Sequence, residues 1–180
     1  MKNRPLLPRQ AARRGWPPLL RSAAAGALAG LAGACGLPPL APGQARDAVL
    51  AAWGPPTARY VLPAGAERLE YASGPFGRTT WMVDLDAGGS VTRSTQVLNE
   101  AHFAEFQGRA PGMGRAELLS TLGTPGERKG AGLMGGELWS WRYPTNDCLW
   151  FQVTLDTADQ VRAAGYGIDP RCDAPSADRS

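Results

Sequence analysis

The chain states one pattern twice. Trp81-Met-Val-Asp-Leu-Asp86, followed by Val91, returns as Phe151-Gln-Val-Thr-Leu-Asp156, followed by Val161, at an offset of 70 residues. The same offset carries Leu69 and Tyr71 onto Trp139 and Trp141. An offset of 69 carries Gly43, Arg46, Val49, Leu50, Trp53, Gly54 and Pro56 onto Gly112, Arg115, Leu118, Leu119, Leu122, Gly123 and Pro125. One inserted residue between the two blocks reconciles the offsets. Apolar and turn positions recurring in order mark a tandem duplication, in which each copy is one supersecondary unit.

Within each copy the pattern reads as a helix followed by strands. Gln44–Trp53 places Val49, Leu50 and Trp53 on one helical face, and Gly54 with Pro55-Pro56 ends it. Met113–Leu122 repeats this with Leu118, Leu119 and Leu122. Three strand-like segments follow in each: 68–73, 79–85 and 90–97 in the first copy, 137–143, 149–155 and 160–166 in the second. The middle strands alternate, with Trp81, Val83 and Leu85, and then Phe151, Val153 and Leu155, on one face. Asp86-Ala-Gly-Gly and Asp156-Thr-Ala-Asp supply hairpin turns. The expected fold class is α+β: two tandem units, each a short helix packed on a three-stranded antiparallel meander. Between them, 98–106 forms a short helix capped by Asn99, with Phe103 and Phe106 one turn apart.

The charge is lopsided. Six basic residues (Lys2, Arg4, Arg9, Arg13, Arg14 and Arg21) precede Ala23, and no acid appears before Asp47. From Gly36 onward 13 basic residues face 16 acidic ones, a net charge of −3, which removes the case for nucleic-acid binding. A basic start followed by the small and apolar run Ala23–Ala34 has the build of a secretory signal, too short to span a bilayer at about 20 residues. The expected organisation is a signal peptide over 1–34, Cys35 with a Pro-rich linker over 35–42, repeats over 43–110 and 111–172, and a disordered tail over 173–180.

Cys148 and Cys172 both fall in the second copy; the first has Arg78 and His102 at those positions. In an exported chain the pair reads as a disulfide rather than a metal site or a reactive thiol pair. Closing a loop of about 25 residues would add roughly 3.5 kcal/mol.

Catalytic signals are sparse. Gly130-Ala-Gly132-Leu-Met-Gly135 fits G-x-G-x-x-G in letters but leads into a strand, not a helix, so a flexible loop is the better reading. Asp84 and Asp86 share a strand face, yet Asp84 becomes Thr154 in the second copy. His102, the one histidine, has no serine or cysteine nucleophile near it in sequence. No catalytic residues, cofactor, metal or small-molecule substrate are expected. The aromatics Trp139, Trp141 and Trp150 are the candidate partner-binding residues. Trp150 is out of phase with Phe151, so one of them faces away from the main core. Both sheet faces could instead be buried against helices.

Leu31-Ala-Gly-Ala-Cys35 resembles the lipobox of bacterial lipoproteins, which implies a diacylglyceryl group on Cys35 as the new N-terminus. Pro111-Gly-Met-Gly-Arg-Ala-Glu-Leu-Leu-Ser-Thr-Leu-Gly-Thr-Pro125, with the strands and Val153-Thr-Leu-Asp156 after it, resembles the SmpA/OmlA lipoproteins (the BamE family) of the barrel-assembly machinery. The tandem pair is also similar to the β-lactamase-inhibitor-protein fold. These resemblances imply an envelope scaffold or interaction protein on the periplasmic face of the outer membrane, held by its N-terminal lipid, with a protein partner. The alternative is an inhibitor-like module that docks an enzyme on its aromatic sheet.

Overall fold

The computed structural model describes residues 37–73 and 78–172. The expected signal peptide over 1–34, Cys35 and the tail over 173–180 lie outside the described residues.

The chain is α+β, with three helices and two four-stranded antiparallel sheets. The first copy runs α1 (Arg46–Trp53), β1 (Ala58–Val61), β2 (Glu67–Ala72), β3 (Thr80–Leu85) and β4 (Val91–Gln96). After α2 (Glu100–Arg109), the second runs α3 (Arg115–Leu122), β5 (Glu127–Gly130), β6 (Glu137–Arg142), β7 (Leu149–Leu155) and β8 (Val161–Ile168). Sheet orders are β1-β2-β3-β4 and β5-β6-β7-β8. The offset is 69 up to the short 3-10 turns (Pro63–Gly65 and Gly132–Met134) and 70 from the next strands on, so the inserted residue lies at Gly135-Gly136.

Each sheet therefore has a fourth strand where a three-stranded meander was expected. The edge strands β1 and β5 escape a reading by periodicity because each has four residues. Glu127-Arg-Lys-Gly130 moreover has no apolar residue to alternate. A short charged edge strand is what a sheet needs to avoid edge-to-edge pairing.

The repeats share their fastenings. Neither α1 nor α3 has a side-chain N-cap; the hairpin turn of the same copy takes its place. Arg46 N donates to Gly89 O (2.8 Å) and Arg115 N to Asp159 O (3.0 Å). In each turn one aspartate closes the loop, Asp86 accepting from Gly88 N and Ser90 N, Asp156 from Ala158 N and Gln160 N. A β-bulge recurs between Asp84 and Leu85 and between Thr154 and Leu155. Tyr71 Oη donates to Gly54 O (3.2 Å), and Trp141 Nε1 to the matching Gly123 O (3.1 Å).

The layers run α1, first sheet, α2 with α3, second sheet. On one face of the first sheet, Leu69, Tyr71, Val83, Leu85 and Val91 bury Val49 of α1. Its other face meets the second repeat: Met82 joins the core of Leu118, Leu122, Trp139, Trp141, Phe151 and Val153. Arg68 Nη1 donates to Ser120 O at the end of α3 (2.7 Å), where a cation suits the helix dipole. The fully buried Glu70 accepts from Thr124 N (3.1 Å), Tyr60 Oη and Thr57 Oγ1. Burial together with that bond to Glu70 pushes the Tyr60 hydroxyl well above its ordinary pKa. The α2 helix starts at Asn99, whose Oδ1 accepts from His102 N (3.0 Å), as the sequence predicts. It lays Phe103 and Phe106, both fully buried, on the second sheet.

Candidate partner-binding site

The three tryptophans expected to face a partner are all covered. Trp139 and Trp141, at 0% and 1% exposure, lie in the core against α3. Trp150 does point to the opposite face, as its phase requires, but is 1% exposed. The Arg142 guanidinium sits 4.9 Å from its ring and the Lys129 ammonium 5.8 Å, so cations roof the indole. Gly167 pairs with Trp150 across the strands. The Trp150 indole N–H has no acceptor among the described residues.

That roof is tied to the disulfide. Cys148 and Cys172 are joined, with Cα atoms 5.8 Å apart. Cys172 N donates to Asp169 O and Asp169 N to Cys148 O, both at 2.9 Å. Asp169 in turn grips Arg142 bidentately at 2.5 and 2.8 Å. The Arg142 hydrogen bonds hold the Asp169 carboxyl below the usual carboxylate range, against the opposing effect of burial. The first copy, with no such bridge, has Thr80 where the second has Trp150.

Between the first sheet and α2 with α3 lies a polar cavity of about 380 Å³. Asp84 accepts from Arg68 at 2.5 and 2.9 Å and from Arg93 at 3.1 and 3.3 Å. Burial alone would raise the Asp84 carboxyl, but the two arginines outweigh it and hold it low. His102 lines the same cavity; burial lowers its pKa, and its Nε2 has no hydrogen-bond partner among the described residues. The neighbouring Thr121 hydroxyl is already donated to Glu117 O (2.7 Å), so it is not poised toward His102 as a nucleophile. Asp84 is a charge clamp between strands, and Asp86 is a turn residue. The glycine run 130–135 spans the end of β5 and a 3-10 turn inside an antiparallel hairpin, with no helix N-terminus to receive a pyrophosphate. Among the described residues no group of three His, Cys, Asp or Glu side chains could hold a metal.

The first repeat carries the aromatic opening that the second lacks. A cavity of about 650 Å³ is walled by Trp53, Tyr71 and Trp81, with Leu37 and Ser73 at its edge. Trp53 meets Tyr71 edge-on at 5.1 Å and Trp81 at 5.8 Å. Its indole N–H donates to Pro38 O (2.8 Å), which pins the incoming chain beside the cavity. The counterparts of Trp53 and Trp81 are Leu122 and Phe151, both fully buried, whereas Trp53 and Trp81 are only half-buried and Leu37 is 44% exposed. Reading Trp53 and Trp81 as core residues of their copy misses this opening. The signal was present in the duplication, because only the second copy is preceded in sequence by two phenylalanines three residues apart.

No family model matches the chain, and no curated protein is similar to it. Among solved structures, a cysteine-rich secretory protein from Staphylococcus aureus aligns at 12% identity and a TM-score of 0.25. The alignment spans 72% of this chain and 44% of that one, and a likeness this low carries no argument.

Proposed function

We propose that this chain is a non-enzymatic interaction protein of the bacterial envelope, exported and anchored to the periplasmic face of the outer membrane through a lipid on Cys35. The observation that carries the interaction reading is the open aromatic cavity of Trp53, Tyr71 and Trp81, whose counterpart in the second repeat is filled. Partly exposed aromatic surface rimmed by polar groups is typical of protein-binding sites. Arg68, Asp84 and Arg93 of the polar cavity are engaged in ion pairs that join strands, which supports a structural rather than a catalytic role for these three. The anchor reading rests on the lipobox-like end of the leader, and the outer-membrane and scaffold reading on the resemblance to the SmpA/OmlA lipoproteins. Neither α1, α2 nor α3 is long and apolar enough to cross a membrane, so attachment in this reading falls to the lipid.

The test is the mass of the N-terminus of membrane-extracted protein, wild type against Cys35→Ala, together with cross-linked co-purification. An acylated Cys35 lost in the variant, with envelope proteins captured, is the expected result. An unmodified N-terminus on soluble protein overturns the anchor. Capture of a single hydrolase instead replaces the scaffold reading with the inhibitor-like one.

A further inference from the structure

We infer that the cavity of the first repeat receives an amphipathic helix from a partner protein, one presenting two large apolar side chains a single turn apart. The inference deepens the interaction reading above and rests on it for its setting; its chemistry comes from the duplication.

The second repeat shows what this place in the unit is shaped to hold. There α2 inserts Phe103, stacked on Phe151 at 4.0 Å and edge-on to Tyr143 at 5.2 Å, and Phe106, edge-on to Phe151 at 5.9 Å. Both rings are fully buried. The first repeat keeps the centre of the platform, since Trp81 stands at the position of Phe151, while Ser73 and Gln96 replace Tyr143 and Tyr166, the other rings that Phe103 meets. It lacks the helix. At the offset of 69, Phe106 corresponds to Leu37 and Phe103 to Ala34. Leu37 does reach the rim of the cavity. An alanine cannot supply the volume of a phenylalanine ring, and Ser73 in place of Tyr143 enlarges the space further. At the two corresponding positions the chain's own upstream sequence therefore carries no aromatic ring, and the anchor reading removes Ala34 with the leader.

A second copy of the chain does not supply it either. Its α2 already buries Phe103 and Phe106 on its own second sheet, and releasing them would open that core. What remains is a helix from another protein, recognised as α2 is recognised: two rings at i and i+3 on an aromatic floor.

The probe is a synthetic peptide with the sequence of residues 98–110, which keeps the Asn99 cap, titrated against full-length Cys35→Ala protein. Binding is followed by the emission of Trp53 and Trp81 and by calorimetry. Saturable binding is expected, weakened roughly 10-fold or more when the peptide carries Phe103→Ala and Phe106→Ala. Leu37→Trp, at an exposed position on the rim, fills part of the cavity from within and should weaken the wild-type peptide several-fold while leaving the fold intact. The inference is overturned by no saturation up to about 1 mM, by equal affinity for the double-alanine peptide, or by indifference to Leu37→Trp. A further arm uses wild-type protein in phosphatidylethanolamine–phosphatidylglycerol vesicles. Exclusion of the peptide there, with binding retained in Cys35→Ala, would assign the cavity to the protein's own acyl chain and overturn the partner helix. A protein that binds the peptide but carries no lipid overturns the anchor alone. An anchored protein that captures envelope partners yet ignores the peptide overturns this inference alone.

Discussion

Gly54 and Gly123 close matching helices with nearly the same backbone, φ +77° and +82°, yet they meet different surroundings. A Cβ on Gly54 would meet nothing within 4 Å. A Cβ on Gly123 would lie 2.7 Å from Thr80 Cγ2, and 3.2 Å from both Glu70 Cδ and Met82 Cε, all on the first sheet. Gly54→Ala should therefore cost only the backbone, since φ +77° with ψ −165° is a conformation nearly reserved for glycine, about 1–3 kcal/mol. Gly123→Ala carries the same cost plus overpacking of about 1–3 kcal/mol, because Thr80 is buried and β-branched and cannot swing aside. Any gain from restricting the unfolded chain is common to both variants and cancels in the comparison. Urea unfolding followed by tryptophan emission should place Gly123→Ala roughly 1–3 kcal/mol below Gly54→Ala. In melting temperature the gap is several degrees, at about 3 °C per kcal/mol for a domain of this size. Equal losses, within about 0.5 kcal/mol, would show that α3 does not abut the first sheet and would refute the layer order.

Three further outcomes follow from named contacts. Replacing Cys148 and Cys172 by serine should cost about 3.5 kcal/mol and, by loosening Asp169 from Arg142, raise acrylamide quenching of Trp150; unchanged quenching would separate the bridge from the roof. Glu70→Ala should cost at least about 2 kcal/mol, since Thr124 N–H and the Tyr60 hydroxyl both lose their acceptor, whereas Ser140→Ala at the matching position should cost under about 1 kcal/mol; similar losses would deny Glu70 its role between the repeats. His102, whose burial holds its folded pKa below the ordinary value of 6.5, takes its proton in the unfolded chain first, so stability is whole above that pH and falls as pH drops below it. His102→Gln should flatten the stability profile just below pH 6.5, while Asp84 and Asp169, whose pKa values their arginine partners hold down, lose their contribution only below the ordinary carboxylate value of 3.8.

The duplication made the helices, the hairpins and their register legible, because each copy corroborates the other where propensity alone is weak. Asn99 announced α2, and the alternation of Trp81, Val83 and Leu85 announced the core face of β3. Short-range pattern failed where partners come from far along the chain. The edge strands are defined by pairing with β2 and β6, not by their own apolar content. The burial of Trp150 depends on Arg142, which is placed by Asp169, 27 residues on in sequence. Phase alone could turn Trp150 outward but could not supply its cover. The aromatic opening, in turn, is visible only when one copy is laid on the other and the missing ring is noticed.

The two repeats have diverged according to what each faces. The α3 helix lies between two sheets and buries Thr121 along with Leu118 and Leu122, whereas α1 lies on one and leaves Ala52, the counterpart of Thr121, exposed. Glu70, which ties α3 to the first sheet, becomes Ser140 on a face with no repeat beyond it among the described residues. Stacking two such units leaves two unmatched ends, the outer face of the second sheet and the aromatic opening of the first repeat. The first end is closed, for cations roof Trp150 and a disulfide-held aspartate fixes one of them. The second keeps Trp53 and Trp81 half-exposed around an unfilled volume. A bare aromatic floor is unfavourable in water, and the same fold shows how it can be covered. The end walled by Trp53 and Trp81 is therefore the one at which a partner would complete the fold.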